Sequence, residues 1–502
     1  MHVDDLRGES RMTIDITRLY FGKAAAESEA PANPQRFLRT YLDRWNLSEE
    51  IEEHEKFLIL GPKGSGKSAA AYYIKYDWER RFSKESIFFQ LVDFDELNRT
   101  QSPLPSIDKK LVSGEVSALT DAAWKLFIGI RLLDSLISDN SCSLSRDPQV
   151  VKFIADLRKA GLASDDYPQV LRRVRERKGG IKFPVGYLDI MSKESDLVSP
   201  GQLGDAIVNL LSRAETPNRH LLAIDGLDKA IGDNDAYWRT LAALIRVGEK
   251  ITRTLLTAGN RNVYLMVMCR SDVFRRIDFA DAPKIAADSG INMEWGAELQ
   301  DFRSVPLWEY LARKAEIDTE QLLDLLPPFV EVAHGRKSIS TPRYILDFTR
   351  YTPRDMTELF KSIKSRAHTY RPLTGRQVRA GADNFAQNHL LHEIKSESVG
   401  LLPTDATKRL EQVLAALPSR VFDKTSLDQA MAEAKVSDSI SLGDFGEYLF
   451  LQGAIGNYRA SSGYVQFYHR RNTAAFDRRG PWILHTGLAY ALNIPFSKQS
   501  TE

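Results

Sequence analysis

Residues Gly61-Pro62-Lys63-Gly64-Ser65-Gly66-Lys67-Ser68 lie between the apolar run Phe57-Leu58-Ile59-Leu60 and the helix-forming run Ala69-Ala70-Ala71-Tyr72-Tyr73-Ile74. A strand, a glycine-rich loop and a helix in that order predict a phosphate loop, the P-loop. The glycines let successive backbone N–H groups turn inward around a phosphate. Lys67 is then positioned to reach the β- and γ-phosphates, and the Ser68 hydroxyl to ligate Mg²⁺. All eight residues, Gly61, Pro62, Lys63, Gly64, Ser65, Gly66, Lys67 and Ser68, are assigned to a nucleoside triphosphate, taken as ATP. The bland alternative is a glycine-rich turn that binds nothing.

A metal held near the loop serine needs a carboxylate from a second apolar strand. His220-Leu221-Leu222-Ala223-Ile224-Asp225-Gly226-Leu227-Asp228 supplies one. Asp225, at the strand end, is assigned to Mg²⁺ through water, and Asp228 to orienting or deprotonating the attacking water. A third strand, Val263-Tyr264-Leu265-Met266-Val267-Met268-Cys269, ends in Arg270-Ser271-Asp272. Ligands of open α/β sheets sit beyond the carboxyl ends of the strands, so Arg270 is a candidate to sense or neutralise a γ-phosphate. The alternative pairs Arg270 with Asp272 in a surface loop. Tyr351-Thr352-Pro353-Arg354-Asp355 separates two helical stretches, 344–350 and 356–363. Pro353 suits the first turn of the second, from which Arg354 either points back at the nucleotide or stays solvated.

Together these residues resemble the P-loop ATPases that include the AAA+ proteins and their signalling relatives, the STAND NTPases. Ile224-Asp225-Gly226-Leu227-Asp228 is similar to the NACHT-type second motif, which continues with glutamate where this chain has Lys229. The resemblance therefore implies slow hydrolysis. It also implies that Arg270 is the arginine ending the fourth core strand, and that Thr352-Pro353-Arg354 is a lid motif with a sensor-like arginine. Phe21-Gly22, then Ala26-Glu27, then 61–69 resemble a group of uncharacterised bacterial P-loop ATPases, over roughly residues 18–365 with gaps. The implied activity is a nucleotide-controlled switch, in a prokaryotic stress or antiviral-defence setting.

Lys plus Arg number 68 and Asp plus Glu 67 in 502 residues, so whole-chain charge offers nothing to a generic polyanion. The two cysteines, Cys142 and Cys269, exclude a disulfide framework and a cysteine-rich zinc site, and suggest a reducing cytoplasm. No signal-like opening is read, and no run approaches the roughly 18 apolar residues that cross a bilayer, so a membrane role is not expected.

Length predicts about three domains. The expected organisation is α/β: an N-terminal lead-in at 1–35, a parallel-sheet NTPase core at 36–300, a helical lid at 301–400 and a winged-helix-like domain at 401–495. Within the core, 36–45 reads as a helix and Ile87-Phe88-Phe89-Gln90-Leu91-Val92 as a second strand. The interval between Ser68 and Leu221 is too long for two βα units, which predicts a helical insertion over about 97–198, with helices near 119–137, 150–157 and 168–177.

That insertion carries the densest basic run, Arg172-Arg173-Val174-Arg175-Glu176-Arg177-Lys178-Gly179-Gly180-Ile181-Lys182. It reads as a helix end stopped by glycines, or as a phosphate-contacting patch. In the C-terminal domain, helices are expected at 407–417, 426–434 and 442–452, followed by a hairpin around Ser461-Ser462-Gly463. The third helix carries Asp444 and Glu447 and no Lys or Arg, which argues against a major-groove reader. His469 and His485 read as structural, and Cys269 as a small buried hydrophobe.

The expected protein is a soluble ATPase that closes a lid on ATP and Mg²⁺ and signals to a protein partner or a second copy. Two other readings stand: a DNA-associated AAA+-like initiator or loader on duplex DNA, and a nucleotide-binding module without turnover.

Overall fold

The computed structural model describes residues 14–93, 113–164, 166–182, 197–227, 235–277, 279–296, 301–332, 337–471 and 473–496. At its centre are five parallel strands: β1 (Leu58–Gly61), β2 (Ile87–Asp93), β3 (Arg219–Asp225), β4 (Val263–Arg270) and β5 (Gly290–Asn292). Their order across the sheet is β2-β3-β4-β1-β5. The chain leaves β1, crosses to the far edge at β2, returns through β3 and β4, and passes over β1 to β5. Loops therefore diverge around the end of β1, where parallel sheets open a crevice for ligands.

The strands read as near-continuous apolar runs because both faces are covered. All eight residues of β4 are buried. Alternate side chains serve opposite layers. Tyr264, Met266 and Met268 pack with Ile59, Ala70, Ala71, Ile74 and Trp78 under the helix Lys67–Arg81. Val263, Leu265, Val267 and Cys269 face the layer built from helices Ser113–Ser138, Pro200–Ser212 and Asp235–Thr257. The first of these belongs to the expected insertion, and it is part of the core: Trp124 Nε1 donates to Thr240 O at 2.9 Å, and Arg246 binds Asp121 at 2.7 Å. Helices Pro148–Lys159 and Tyr167–Glu176 follow it near the expected positions.

Helices Pro306–Ala315, Thr341–Asp347, Pro353–Lys364 and Gly375–Phe385 occupy the span expected as a helical lid. Pro353 occupies the first turn of its helix, and the Thr352 side chain caps it by accepting from Asp355 N. A C-terminal unit follows, over the span where a winged-helix-like domain is expected. It holds helices Thr404–Ala415, Lys424–Glu433 and Leu442–Leu451 and four antiparallel strands: β6 (Val421–Phe422) lies between the first two helices, and β7 (Ile455–Arg459), β8 (Tyr464–Gln466) and β9 (Trp482–Leu484) follow the third. The order is β6-β9-β7-β8, with the β7–β8 hairpin turning at Gly463. Among the described residues no helix is long and apolar enough to cross a membrane.

Candidate functional site

The end of β1 turns into the glycine-rich loop directly beside Arg270, since Gly61 pairs with Arg270 in the β1–β4 register. Gly64 and Gly66 have φ of 82° and 101°, and Gly66 is the N-cap of the helix that begins at Lys67. Lys67 is buried, and its Nζ donates to Gly61 O and Pro62 O, both at 3.0 Å. The Ser68 hydroxyl donates to Asp225 Oδ2, while Asp225 Oδ1 accepts from Gly226 N at 2.8 Å. Asp93 stands next to Asp225 in the β2–β3 register.

These groups surround one cavity of about 390 Å³. Lys63 to Ser68, Asp93, Asp225, Arg270, Pro353 and Arg354 form part of its wall. Gly61 and Pro62, also assigned to the nucleotide from sequence, are not among the residues that line the cavity; their carbonyls instead accept from Lys67 Nζ. Asp228 and Lys229 lie outside the described residues. A different wall comes from the N-terminal segment: Lys23, Ala24, Ala26, Glu27, Glu29, Phe37, Tyr41 and Leu42 line it, and Met293, Trp295, Tyr310 and Lys314 also line the cavity. One end is thus polar and loop-lined and the other largely aromatic and apolar.

The apolar end encloses an ion pair. Lys314 Nζ donates to Glu29 Oε1 at 2.8 Å, and Tyr20 Oη adds a bond of 3.2 Å. Burial pulls the Lys314 amine below its ordinary range, and Glu29 partly restores it. Trp295 Nε1 donates to Ser65 O at 2.8 Å and so braces the loop from its far side.

Arg270 is buried and paired. Its Nε donates to Asp272 Oδ1 at 3.0 Å, and its Nη2 to Asp272 Oδ2 at 2.6 Å and to Gln452 Oε1 at 3.2 Å. Gln452 Nε2 returns a bond to Asp272 Oδ2 at 2.6 Å. Burial alone would raise the Asp272 carboxyl, but the Arg270 charge and these bonds hold it down at about 2. Arg270 therefore both lines the cavity and pairs with Asp272, in a buried position where a surface loop was the alternative. It also touches the C-terminal unit, because Gln452 follows the helix Leu442–Leu451.

Arg354 reaches the loop through its backbone, donating N–H to Gly64 O at 3.3 Å. Its guanidinium bonds Ala24 O at 3.2 Å and Glu393 Oε2 at 3.5 Å. Behind it Arg350 makes two bonds to Glu397, at 3.0 and 2.9 Å, and another to Asp355 Oδ2 at 3.2 Å. Burial opposes the charge on Asp355, yet Arg350 and His389 keep that carboxyl far below its ordinary range.

His485 is buried, with Nε2 at 3.1 Å from Thr349 O, and burial lowers it to about 3. His469 is likewise pushed well down by burial and by its charged neighbours. Among the described residues no three His, Cys, Asp or Glu side chains cluster as a metal cage. The basic residues near the hairpin are engaged within the chain: Arg470 with Asp347 at 2.6 Å, Arg478 with Glu447 at 2.6 Å and Arg479 with Asp477 at 3.1 Å.

The wall from Lys23 to Leu42, together with Asp93, Trp295 and Lys314, was not read from sequence. Asp93 carried the one usable signal, an acid directly after the apolar run of β2.

No family model matches the chain, and no curated protein matches it. Among solved structures the chain is similar to the Aeropyrum pernix Orc1 protein, in a complex with DNA. The two share 12% identity with a TM-score of 0.32 over 92% of each chain. The α/β assignment follows from the sheet order and the loop geometry themselves.

Proposed function

We propose that this chain binds ATP with Mg²⁺ in the cavity at the end of β1, hydrolyses it slowly, and uses the bound state as a switch. The observation that carries this reading is the Ser68–Asp225 contact on the rim of a cavity that the glycine-rich loop also lines.

The residues fit such a ligand. Ser65 Oγ is buried without a hydrogen-bond partner on the cavity wall, a hydroxyl still to be satisfied. A Cβ on Gly61 would meet that oxygen at 2.5 Å, so a side chain at the loop start would displace the Ser65 hydroxyl. Mg²⁺ usually keeps several waters and takes only one or two protein carboxylates, which suits Ser68 and Asp225 without a larger cage. When bound, the metal would offset the negative charge on the β- and γ-phosphate oxygens.

The chain's own contributions follow. Loop N–H groups and Lys67 hold the phosphates, and Ser65 adds a donor. Asp225 and Ser68 would hold the metal, with Asp93 beside them to orient water; Asp228 is a second candidate for that task. Phe37, Tyr41 and Tyr310 shelter the base from solvent. Arg270 and Arg354 meet the terminal phosphate, and the first transmits its state through Asp272 to Gln452. A triphosphate that changes Arg270's contacts would shift the docking of the C-terminal unit, a population shift driven by differential contacts. The output would then be a protein surface offered to a partner or second copy. Duplex DNA is the weaker reading, since the third helix presents Asp444 and Glu447 and no Lys or Arg.

The test is equilibrium binding of a fluorescent ATP analogue and single-turnover hydrolysis, with and without Mg²⁺, in wild type and Lys67→Ala. The expected result is Mg²⁺-enhanced binding lost in Lys67→Ala and slow turnover indifferent to duplex DNA at two salt concentrations. Wild-type protein that binds no nucleotide would overturn the reading, and DNA-stimulated turnover that fades with salt would replace the switch with the DNA-associated role.

A further inference from the structure

Two cations of the proposed phosphate site are held by one carboxylate that does not itself line the cavity. Glu393 Oε2 lies 3.3 Å from Lys63 Nζ and 3.5 Å from Arg354 Nη1. Lys63 is the third residue of the glycine-rich loop, and Arg354 the second residue of the lid helix. Both line the cavity, and a Cβ on the intervening Gly64 would meet Arg354 Cβ at 3.0 Å, so lid and loop are in contact here. Lys63 also donates to Ser396 Oγ at 2.9 Å, from the same short helix as Glu393. That helix is anchored by the Arg350–Glu397 pair, so its carboxylate cannot drift far from the two cations.

We infer that Glu393 is a built-in competitor for the terminal phosphate of the nucleotide, and that this competition lowers triphosphate affinity and so limits the preference of the site for triphosphate over diphosphate. The inference rests on the nucleotide-binding reading above. The argument is electrostatic. Lys63 and Arg270 share the wall of a smaller adjoining pocket, so Lys63 lies on the same flank of the loop as the arginine at the end of β4. On that flank a third phosphate would sit, whereas the β-phosphate is held by loop N–H groups and Lys67. A γ-phosphate brings more charge than a carboxylate and can draw Lys63 and Arg354 away from Glu393. A diphosphate leaves both cations with Glu393 and is bound without their help. Because Glu393 is partly buried, its attraction to the two cations is screened less than that of a surface pair. Burial would raise its carboxyl, yet Lys63, Arg354 and Arg350 together keep it below its ordinary range.

Removing the charge should release both cations for the nucleotide. In Glu393→Gln, ATP no longer has to displace the carboxylate and is expected to bind about three- to tenfold more tightly, while ADP, which attracts the two cations less than Glu393 does, gains less, so the ATP-to-ADP affinity ratio widens. Ser396→Ala removes the other contact of that helix to Lys63 without changing charge, and should leave the ratio as in wild type. The experiment is a displacement titration of a fluorescent nucleotide by ATP and by ADP in the full chain, for all three proteins. An unchanged or narrowed ratio in Glu393→Gln, or a weakening of ATP, overturns the inference. Should Glu393→Gln fail to fold, Glu393→Asp withdraws the carboxylate by one methylene and must move the ratio in the same direction. Wild-type protein that binds neither nucleotide instead ends the nucleotide reading itself.

Discussion

The Ser68 hydroxyl donates a hydrogen bond to Asp225 Oδ2 across 157 residues of chain. The contact arises because β1 and β3 run parallel with β4 between them, so the loop after one and the acid ending the other share the carboxyl edge of the sheet. Asp225→Asn keeps the shape and removes the charge. It should lower Mg²⁺-dependent hydrolysis by on the order of 100-fold while leaving metal-free nucleotide binding close to wild type. A Mg²⁺ titration of both activities checks this, and equal loss with and without metal would place Asp225 outside the metal site.

Gly64 combines two constraints. Its φ of 82° favours glycine, and its missing side chain leaves room for Arg354 Cβ at 3.0 Å and Thr352 Oγ1 at 3.3 Å. Gly259 has a similar φ of 74° with nothing within 4 Å. Alanine at either position should cost about 1–2 kcal/mol of backbone strain. Only Gly64→Ala should also weaken nucleotide binding, by about tenfold, because the added methyl pushes the lid off the loop. Thermal unfolding and nucleotide titration of the two variants separate strain from contact.

How much of this was legible follows from what each residue reports locally. The strands at β1, β3 and β4 are unbroken apolar runs, and the lid helix carries its own start in Thr352-Pro353, so their positions could be read within a residue or three. Strand β5 is three residues long and gave no periodicity. The segment around Ala24 is rich in Ala and Glu, and nothing local says that it walls a cavity. Lys314 looks like any charge on an amphipathic helix until the fold buries it against Glu29, 285 residues away. Glu393 is likewise unremarkable in sequence, because its two partners come from the loop and from another helix. The helix Ser113–Ser138 was seen, but interval length alone cannot tell an appended insertion from a layer of the core.

The Glu29–Lys314 pair ties the N-terminal wall to the lid. Removing one member leaves a buried charge without its partner. Lys314→Met is therefore expected to destabilise the chain by about 3 kcal/mol, whereas Glu29→Leu combined with Lys314→Met should recover most of that loss. Denaturant unfolding of the four proteins in a double-mutant cycle reads the coupling. A cycle that is additive within error would show that the pair is screened and carries no linkage between wall and lid.

Asp272 gives the chain an acid-side signature. Its folded carboxyl sits at about 2 against an ordinary 3.8, so it stays ionised in the fold at pH values where the unfolded chain takes up a proton. A depressed acid contributes stability that is fully present above the unfolded value and disappears as pH falls through the folded one. The contribution should be about 2 kcal/mol at neutral pH and should fade between roughly pH 4 and pH 2. Asp272→Asn cannot titrate and leaves the Arg270 guanidinium buried beside a neutral amide. Its thermal midpoint should lie below that of wild type at pH 7, and the gap should narrow steadily through that acid window as wild type protonates. A gap that stays constant down to pH 2 would mean that Arg270 and Gln452 do not hold Asp272 as the geometry describes. The proposed route from the cavity to the C-terminal unit would then lose its middle member.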